Sequence, residues 1–312
     1  MRDLKAHLVL FAAAAVAALL IWNRDEVGEA SSDLALAWKH DTTDFRSMHY
    51  TSPHLDLRIE RRTDREGPFY WGIQTRGDEP AGPLEFPVGW SGAELVPNLA
   101  ALQVLRELGA LSPEQRARYG LADSEARLTV EFSDGRRQLV VGDSVFGSED
   151  RYVLVTATDR GYVISRHIVN PIEIGEGAIR ERMVHNFRSD RVAEVRVTAG
   201  AGEERTMVPA ESGEWVEPGG DTPDLGFGNF MERVDGLAIE GYDNLPPADR
   251  LRLLLRVDYL DEDGGALGFM ELLRDDLAER NAHYLRSEST RIVARTHTTL
   301  AERVEQAVGD IF

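Results

Sequence analysis

Cysteine is absent from this chain of 312 residues. That excludes disulfides, thiolate catalysis, cysteine-based zinc sites, thioether-linked haem and a lipid-modified N-terminal cysteine. Lysine is nearly absent too, with only Lys5 and Lys39 among 35 cations. No Gly-Lys-Ser/Thr string occurs, so there is no P-loop and the chain is not the ATPase of any transporter. The eight histidines contain no HxxxH or HExxH pair. His49 and His54 fall near adjacent strand ends, but a zinc site needs three ligands and an open position, so they read as solvated side chains. Cations are outnumbered by 54 acids, for a net charge of −19. Such a surface is repelled by nucleic acid and anionic headgroups, and its complement is a basic partner. The expectation is therefore no nucleic acid, no metal and no cofactor.

One apolar run is present, Leu8 to Trp22 (LVLFAAAAVAALLIW), after the cations Arg2 and Lys5 and before Asn23-Arg-Asp-Glu26. It is short against the roughly 20 residues of a spanning helix, and within the apolar length of a secretory signal. The first small-x-small cleavage site is Gly28-Glu29-Ala30, eight residues beyond it. The run is therefore expected to be an uncleaved anchor, with Leu8, Phe11, Leu19 and Leu20 in the bilayer and Trp22 at the headgroups. The positive-inside rule places the N-terminus in the cytoplasm and the body in the periplasm, as a single-pass inner-membrane protein.

The remaining length suits two domains, and the pattern suggests one unit used twice. Phe45, Met48 and Tyr50 are echoed by Val192, Val195 and Val197. Each set is followed by a second strand pattern, a turn and a tryptophan, Trp71 in one case and Trp215 in the other. A helical pattern comes next, through Leu95, Leu99, Leu102, Leu105 and Leu108, then again through Phe227, Phe230, Met231, Val234 and Leu237. Hairpins follow: Leu128–Gly135 with Arg137–Gly142, and Leu255–Gly264 with Ala266–Glu271. Asp134-Gly135 is a strong hairpin signal. Closing strand pairs are 152–155 with 161–165, and 283–286 with 291–294. Ser112-Pro-Glu-Gln115 reads as a capping box opening an extra short helix in the first half only. Ile174 to Val184 reads as a connector helix, and 299–312 as a final helix. The resulting divisions are 1–26 tip and anchor, 27–40 linker, 41–170 first repeat, 171–189 connector and 190–312 second repeat, each repeat with its own core. The expected class is α+β, two tandem repeats of an antiparallel sheet with a packed helix, preceded by a single N-terminal transmembrane helix.

Tyr119-Gly-Leu121, Leu128–Gly135, Val141-Gly-Asp143, Tyr152-Val and the Trp71 hairpin together resemble a bacterial family, domain of unknown function 4340. The likeness covers residues 40–200 and is weaker beyond. It implies an exported, N-terminally anchored protein linked to gliding-type ABC transport systems, beside a permease and an auxiliary subunit. No functional residues are carried over, because the matching motifs are turns and strand ends.

Chemistry is sparse elsewhere. Asp261-Glu-Asp263-Gly264 imitates the start of a calcium loop, but the position that should hold a bidentate Glu is Leu272, so it reads as a hairpin turn. Phe69, Tyr70, Trp71 and Trp90 form the candidate partner-binding group, since aromatics at a strand edge anchor partners. Trp71 also reads as core, because Trp215 recurs in the second half, whereas Tyr70 and Trp90 are freer. The expected function is a non-enzymatic, membrane-anchored periplasmic adaptor of an ABC-type system, binding a permease, an auxiliary subunit or exported cargo, with the contact surface in the first repeat. The alternative is an envelope hydrolase or glycan-binding protein using a cleft in the first repeat.

Overall fold

The computed structural model describes residues 35–65, 67–77, 82–278 and 282–312. The chain opens with strands β1 (Leu36–Lys39), β2 (Phe45–Thr51), β3 (Leu55–Asp64), β4 (Gly67–Arg76) and β5 (Leu84–Pro87). Helices α1 (Trp90–Ala93) and α2 (Leu95–Ala100) lead to β6 (Ala101–Gln103), β7 (Arg106–Ala110) and α3 (Pro113–Arg118). Strands β8 (Arg127–Phe132), β9 (Gly135–Ser144), β10 (Arg151–Val155) and β11 (Arg160–Ile164) precede α4 (Arg166–Ile174) and α5 (Glu176–Ile179). The second half holds β12 (Glu194–Ala199), β13 (Glu204–Pro209), β14 (Trp215–Val216), α6 (Leu225–Asp235) and β15 (Ile239–Gly241). It closes with β16 (Leu251–Leu260), β17 (Ala266–Asp275), β18 (Ala282–Ser287), β19 (Ala294–Thr296) and α7 (Thr298–Ile311).

Among the described residues these strands form a nine-stranded sheet, β5-β4-β3-β2-β8-β9-β10-β11-β7, an eight-stranded sheet, β14-β13-β12-β16-β17-β18-β19-β15, and the pair β1-β6. Once the edge strand β5 is set aside, the two large sheets take up their strands in the same chain order. The class expected from the sequence is corrected here. The described chain is mostly antiparallel sheet and only 23% helical. Among the described residues no helix is long and apolar enough to cross a membrane. The run holding Leu8, Phe11, Leu19, Leu20 and Trp22 lies outside them, so the transmembrane helix, and the membrane placement and localisation derived from it, form no part of this fold.

Strand alternation sends one face of each sheet inward. Leu57 and Ile59 of β3, Met48 and Tyr50 of β2 and Val130 of β8 are buried under α2 and α4. In the second half Leu255 and Val257 of β16 and Val195 and Val197 of β12 are buried under α6 and α7. Most of the buried apolar residues of both halves belong to one contiguous cluster. A small second cluster, Leu111, Leu121, Val140 and Leu154, lies where the segment around α3 folds over the first sheet. The capping box there is formed, with Ser112 Oγ accepting from Gln115 N and Gln115 Oε1 from Ser112 N.

Three local expectations fail for identifiable reasons. The helix read through Leu108 stops at Ala100, because the carbonyls of Leu99 and Ala100 accept from the Trp38 indole (2.7 Å) and His40 N (2.8 Å). The chain then pairs with β1, which occupies residues read as linker. Leu102 is buried on β6, while Leu105 is exposed. The connector helix starts earlier than expected, capped by Ser165 and carrying Pro171 inside, and breaks at Gly175, whose φ is 75°. The strand read at 291–294 begins only at Ala294, since Glu288, Ser289 and Thr290 form a buried polar turn.

Asp224 caps α6, accepting from Phe227 N (2.9 Å), and also takes Arg205 Nη2 (2.6 Å). The Phe227 bond first, and then Arg205, hold its carboxyl below the usual range. Its contribution is therefore present above the ordinary carboxylate pKa and is lost as pH falls through the lowered one. Asp224→Ala should cost about 1 kcal/mol of unfolding free energy at neutral pH. The gap between variant and parent in urea titrations should close in acid.

Candidate binding cleft

The outward face of the second sheet is charged and internally paired. Register places Arg256 of β16 opposite Glu271 of β17, and Glu271 opposite Arg286 of β18. Glu271 is only 6% exposed, and a carboxylate so buried must be paired. It accepts from Arg256 Nη1 (2.8 Å) and from Arg286 Nε (2.8 Å) and Nη2 (2.6 Å). Arg256 in turn donates Nε to both oxygens of Asp258 (3.0 and 2.9 Å) and stacks over Phe269 at 4.5 Å. The bonds to Asp258, and next to Glu271, hold Arg256 protonated beyond its usual range.

The first sheet reaches this face through the β3–β4 hairpin. Arg291 Nε donates to Asp64 Oδ2 (3.0 Å), and its guanidinium lies over the Phe69 ring at 4.1 Å. Arg291 takes φ 56°, a left-handed conformation uncommon outside glycine, and this aims the side chain from the turn after β18 toward the hairpin. On the connector side, Glu288 accepts from Asn186 N (3.2 Å) and Phe269 N (2.9 Å) and faces His185 Nδ1 at 3.2 Å. Gly268 makes room for this: a Cβ there would sit 2.6 Å from the Glu288 carboxyl and 2.7 Å from the Phe187 ring. Between these walls opens a cleft of about 1100 Å³.

The four aromatic candidates are not brought together. Phe69 lies beneath the Arg291 guanidinium, behind the residues that line the cleft. Tyr70 points to the opposite face of β4, edge-on to Phe45 at 5.8 Å, where burial raises its pKa. Trp71 is 6% exposed, yet it lies outside the main core, edge-on to Phe69 at 6.2 Å, under Arg62 at 5.0 Å, with Nε1 donating to Glu85 Oε2 (2.7 Å). Trp215, expected as its counterpart, packs against Phe227 of α6 on the core side, so the two are not equivalent. Trp90 stands 74% exposed at the start of α1 and does not line the cleft. The residues that build the cleft, Arg256, Glu271, Arg286 and Arg291, escaped sequence reasoning. Their only signal is alternation of charge with apolar residues, which a solvated strand face also shows.

The acidic loop at 261–265 is a turn. Asp261 Oδ1 accepts from Asp263 N (3.1 Å) and Gly265 N (2.7 Å), and Gly264 takes φ 74°.

The chain matches the model of a family described as a domain of unknown function (DUF4340) over residues 92–251, slightly more than half its length. It belongs to that family. The match runs from α1 to the start of β16, so the family region covers β7–β11 of the first sheet, the connector and β12–β15 of the second. Comparison with curated proteins and with solved structures gave no match.

Truncating the two tryptophans should separate packing from surface. Trp71→Ala removes a buried ring, and should lower unfolding free energy by about 3 kcal/mol. Trp90→Ala should stay within about 0.5 kcal/mol of the parent. Thermal and urea unfolding of the two variants check this, and a stable Trp71 variant would mean that the indole is not part of the packing.

Proposed function

We propose that this protein is a binding adaptor, an accessory component of an ABC-type, gliding-like transport system that holds another subunit or a cargo segment in the cleft between its two sheets. The observation that carries the reading is the state of the cleft wall. Its guanidiniums are already stacked on Phe69 and Phe269 and already held by Asp64, Asp258 and Glu271. Side chains fixed before binding lose little rotamer entropy on complex formation, and arginine and aromatic residues are those that dominate binding energy at interfaces. Family membership is consistent with a role beside transport subunits, and a charge of −19 favours approach by a basic partner surface. A hydrolase or glycan site within the first half gains no support from this arrangement, because that half supplies to the cleft only the hairpin residues Asp64 and Arg65.

The test is capture of tagged full-length chain co-expressed with the permease and auxiliary subunit of such a system, with each subunit detected directly. The subunits should be recovered with the parent. Recovery should fall about tenfold or more with Phe269→Ala, since an aromatic anchor at an interface centre is worth about 2 kcal/mol or more, while thermal unfolding shows the variant folded. Failure to recover either subunit with the parent chain sinks the reading.

A further inference from the structure

Each oxygen of Asp258, Glu271 and Glu288 already accepts at least one hydrogen bond, whereas, among the described residues, two of the cleft's arginines keep donors with no acceptor. Asp258 takes Arg256 on both oxygens, Glu271 takes Arg256 and Arg286, and Glu288 takes two backbone N–H groups and faces His185. Arg286 spends Nε and Nη2 on a single oxygen of Glu271. Arg291 spends Nε on Asp64. Among the described residues, Nη1 of Arg286 and both Nη atoms of Arg291 have no acceptor. A guanidinium carries five donors and no acceptor, so what enters this cleft must bring acceptor oxygens.

The charge balance narrows the ligand further. Arg65, Arg256, Arg286 and Arg291 stand against Asp64, Asp258 and Glu288 in the lining and Glu271 buried behind it, an even count on a chain of net charge −19. A dianion would be placed among these carboxylates with no surplus of positive charge to hold it. A monoanionic carboxylate suits the fork geometry of arginine. The acids around it, and the acidic surface beyond, favour positive charge on either side. Both arginines are also fixed in advance, Arg286 by its two bonds to buried Glu271 and Arg291 by stacking on Phe69 and by its left-handed turn.

We infer that Arg286 and Arg291 form the receptor for one carboxylate side chain on a partner's peptide segment, an Asp or Glu flanked by basic residues. The inference rests on the cleft being the docking surface and adds the chemistry of the segment that enters it.

The test uses the full chain and two labelled peptides, Lys-Lys-Glu-Lys-Lys and Lys-Lys-Gln-Lys-Lys, followed by fluorescence anisotropy. The Glu peptide should bind about tenfold or more tightly than the Gln peptide, as a charge-assisted pair exceeds a neutral one. Arg286→Lys and Arg291→Lys keep the charge and lose the fork, and each should weaken the Glu peptide about tenfold while thermal unfolding remains close to the parent. Arg188→Lys, on the exposed connector, should change nothing. Equal binding of the two peptides overturns the inference, as does parental affinity in both lysine variants. Tighter binding of a phosphoserine peptide of the same frame would replace the carboxylate by a phosphate and overturn it as well. Loss of peptide discrimination while transport subunits are still captured removes this inference alone. Peptide discrimination without any captured subunit removes the adaptor reading and leaves the receptor.

Discussion

Each large sheet has its main helical cover on one face, and the organisation of the molecule follows from that constraint. A strand in such a sheet must alternate, apolar toward the helices and polar away from them. Leu255, Val257 and Tyr259 of β16 obey it on the inner side, and Arg256 and Asp258 on the outer. The outer face is not simply wet, however. The β3–β4 hairpin and the turn after β18 come over it and partly remove Glu271, Glu288 and their neighbours from solvent. Charges displaced from water in this way require partners at close range, so the face is knitted into the Asp258–Arg256–Glu271–Arg286 chain of contacts.

This knitting gives the cleft its character. Removing one member of a buried ionic pair leaves an uncompensated charge, which is far more costly than the pair is worth. Arg256, held on two sides and stacked on Phe269, has little freedom left. Arg286 shares Glu271 with it but keeps an outward edge. The same logic appears at the far end of β17, where buried Asp275 accepts from Arg250 Nη2 (2.6 Å) and Leu277 N (2.9 Å). There the carboxylate closes a turn. In the cleft it positions guanidiniums toward open space.

What was legible in the sequence, and what was not, divides along the range of the interaction. The β8–β9 hairpin could be read from Asp134-Gly135, the β16–β17 turn from Asp261 to Gly265, and α3 from Ser112 and Gln115, because each signal and its effect lie within a few residues. The helix through Leu95 was over-read because its end is decided by Trp38 and His40, some sixty residues upstream. Trp71 and Trp215 follow similar local patterns yet pack on different faces, since alternation and register, not spacing from a turn, choose the face. The cleft is the extreme case. Arg256, Glu271 and Arg286 meet only through the pairing of three strands, and Arg291 reaches Asp64 across 227 positions. The sequence pattern at 8–22 lies outside the described residues.

The shared interior has a mechanical consequence. Most buried side chains of both halves form one contiguous cluster, and Tyr242 of the second half donates to the Glu181 carbonyl just after α5 (3.1 Å) while Arg180 donates to the Glu240 carbonyl (2.8 Å). Close-packed interiors transmit displacement instead of absorbing it. The two walls of the cleft are therefore set like the fixed anvils of a gauge, not the jaws of a clamp: whatever lodges there is measured against a constant gap, and any adjustment of fit falls to the guest.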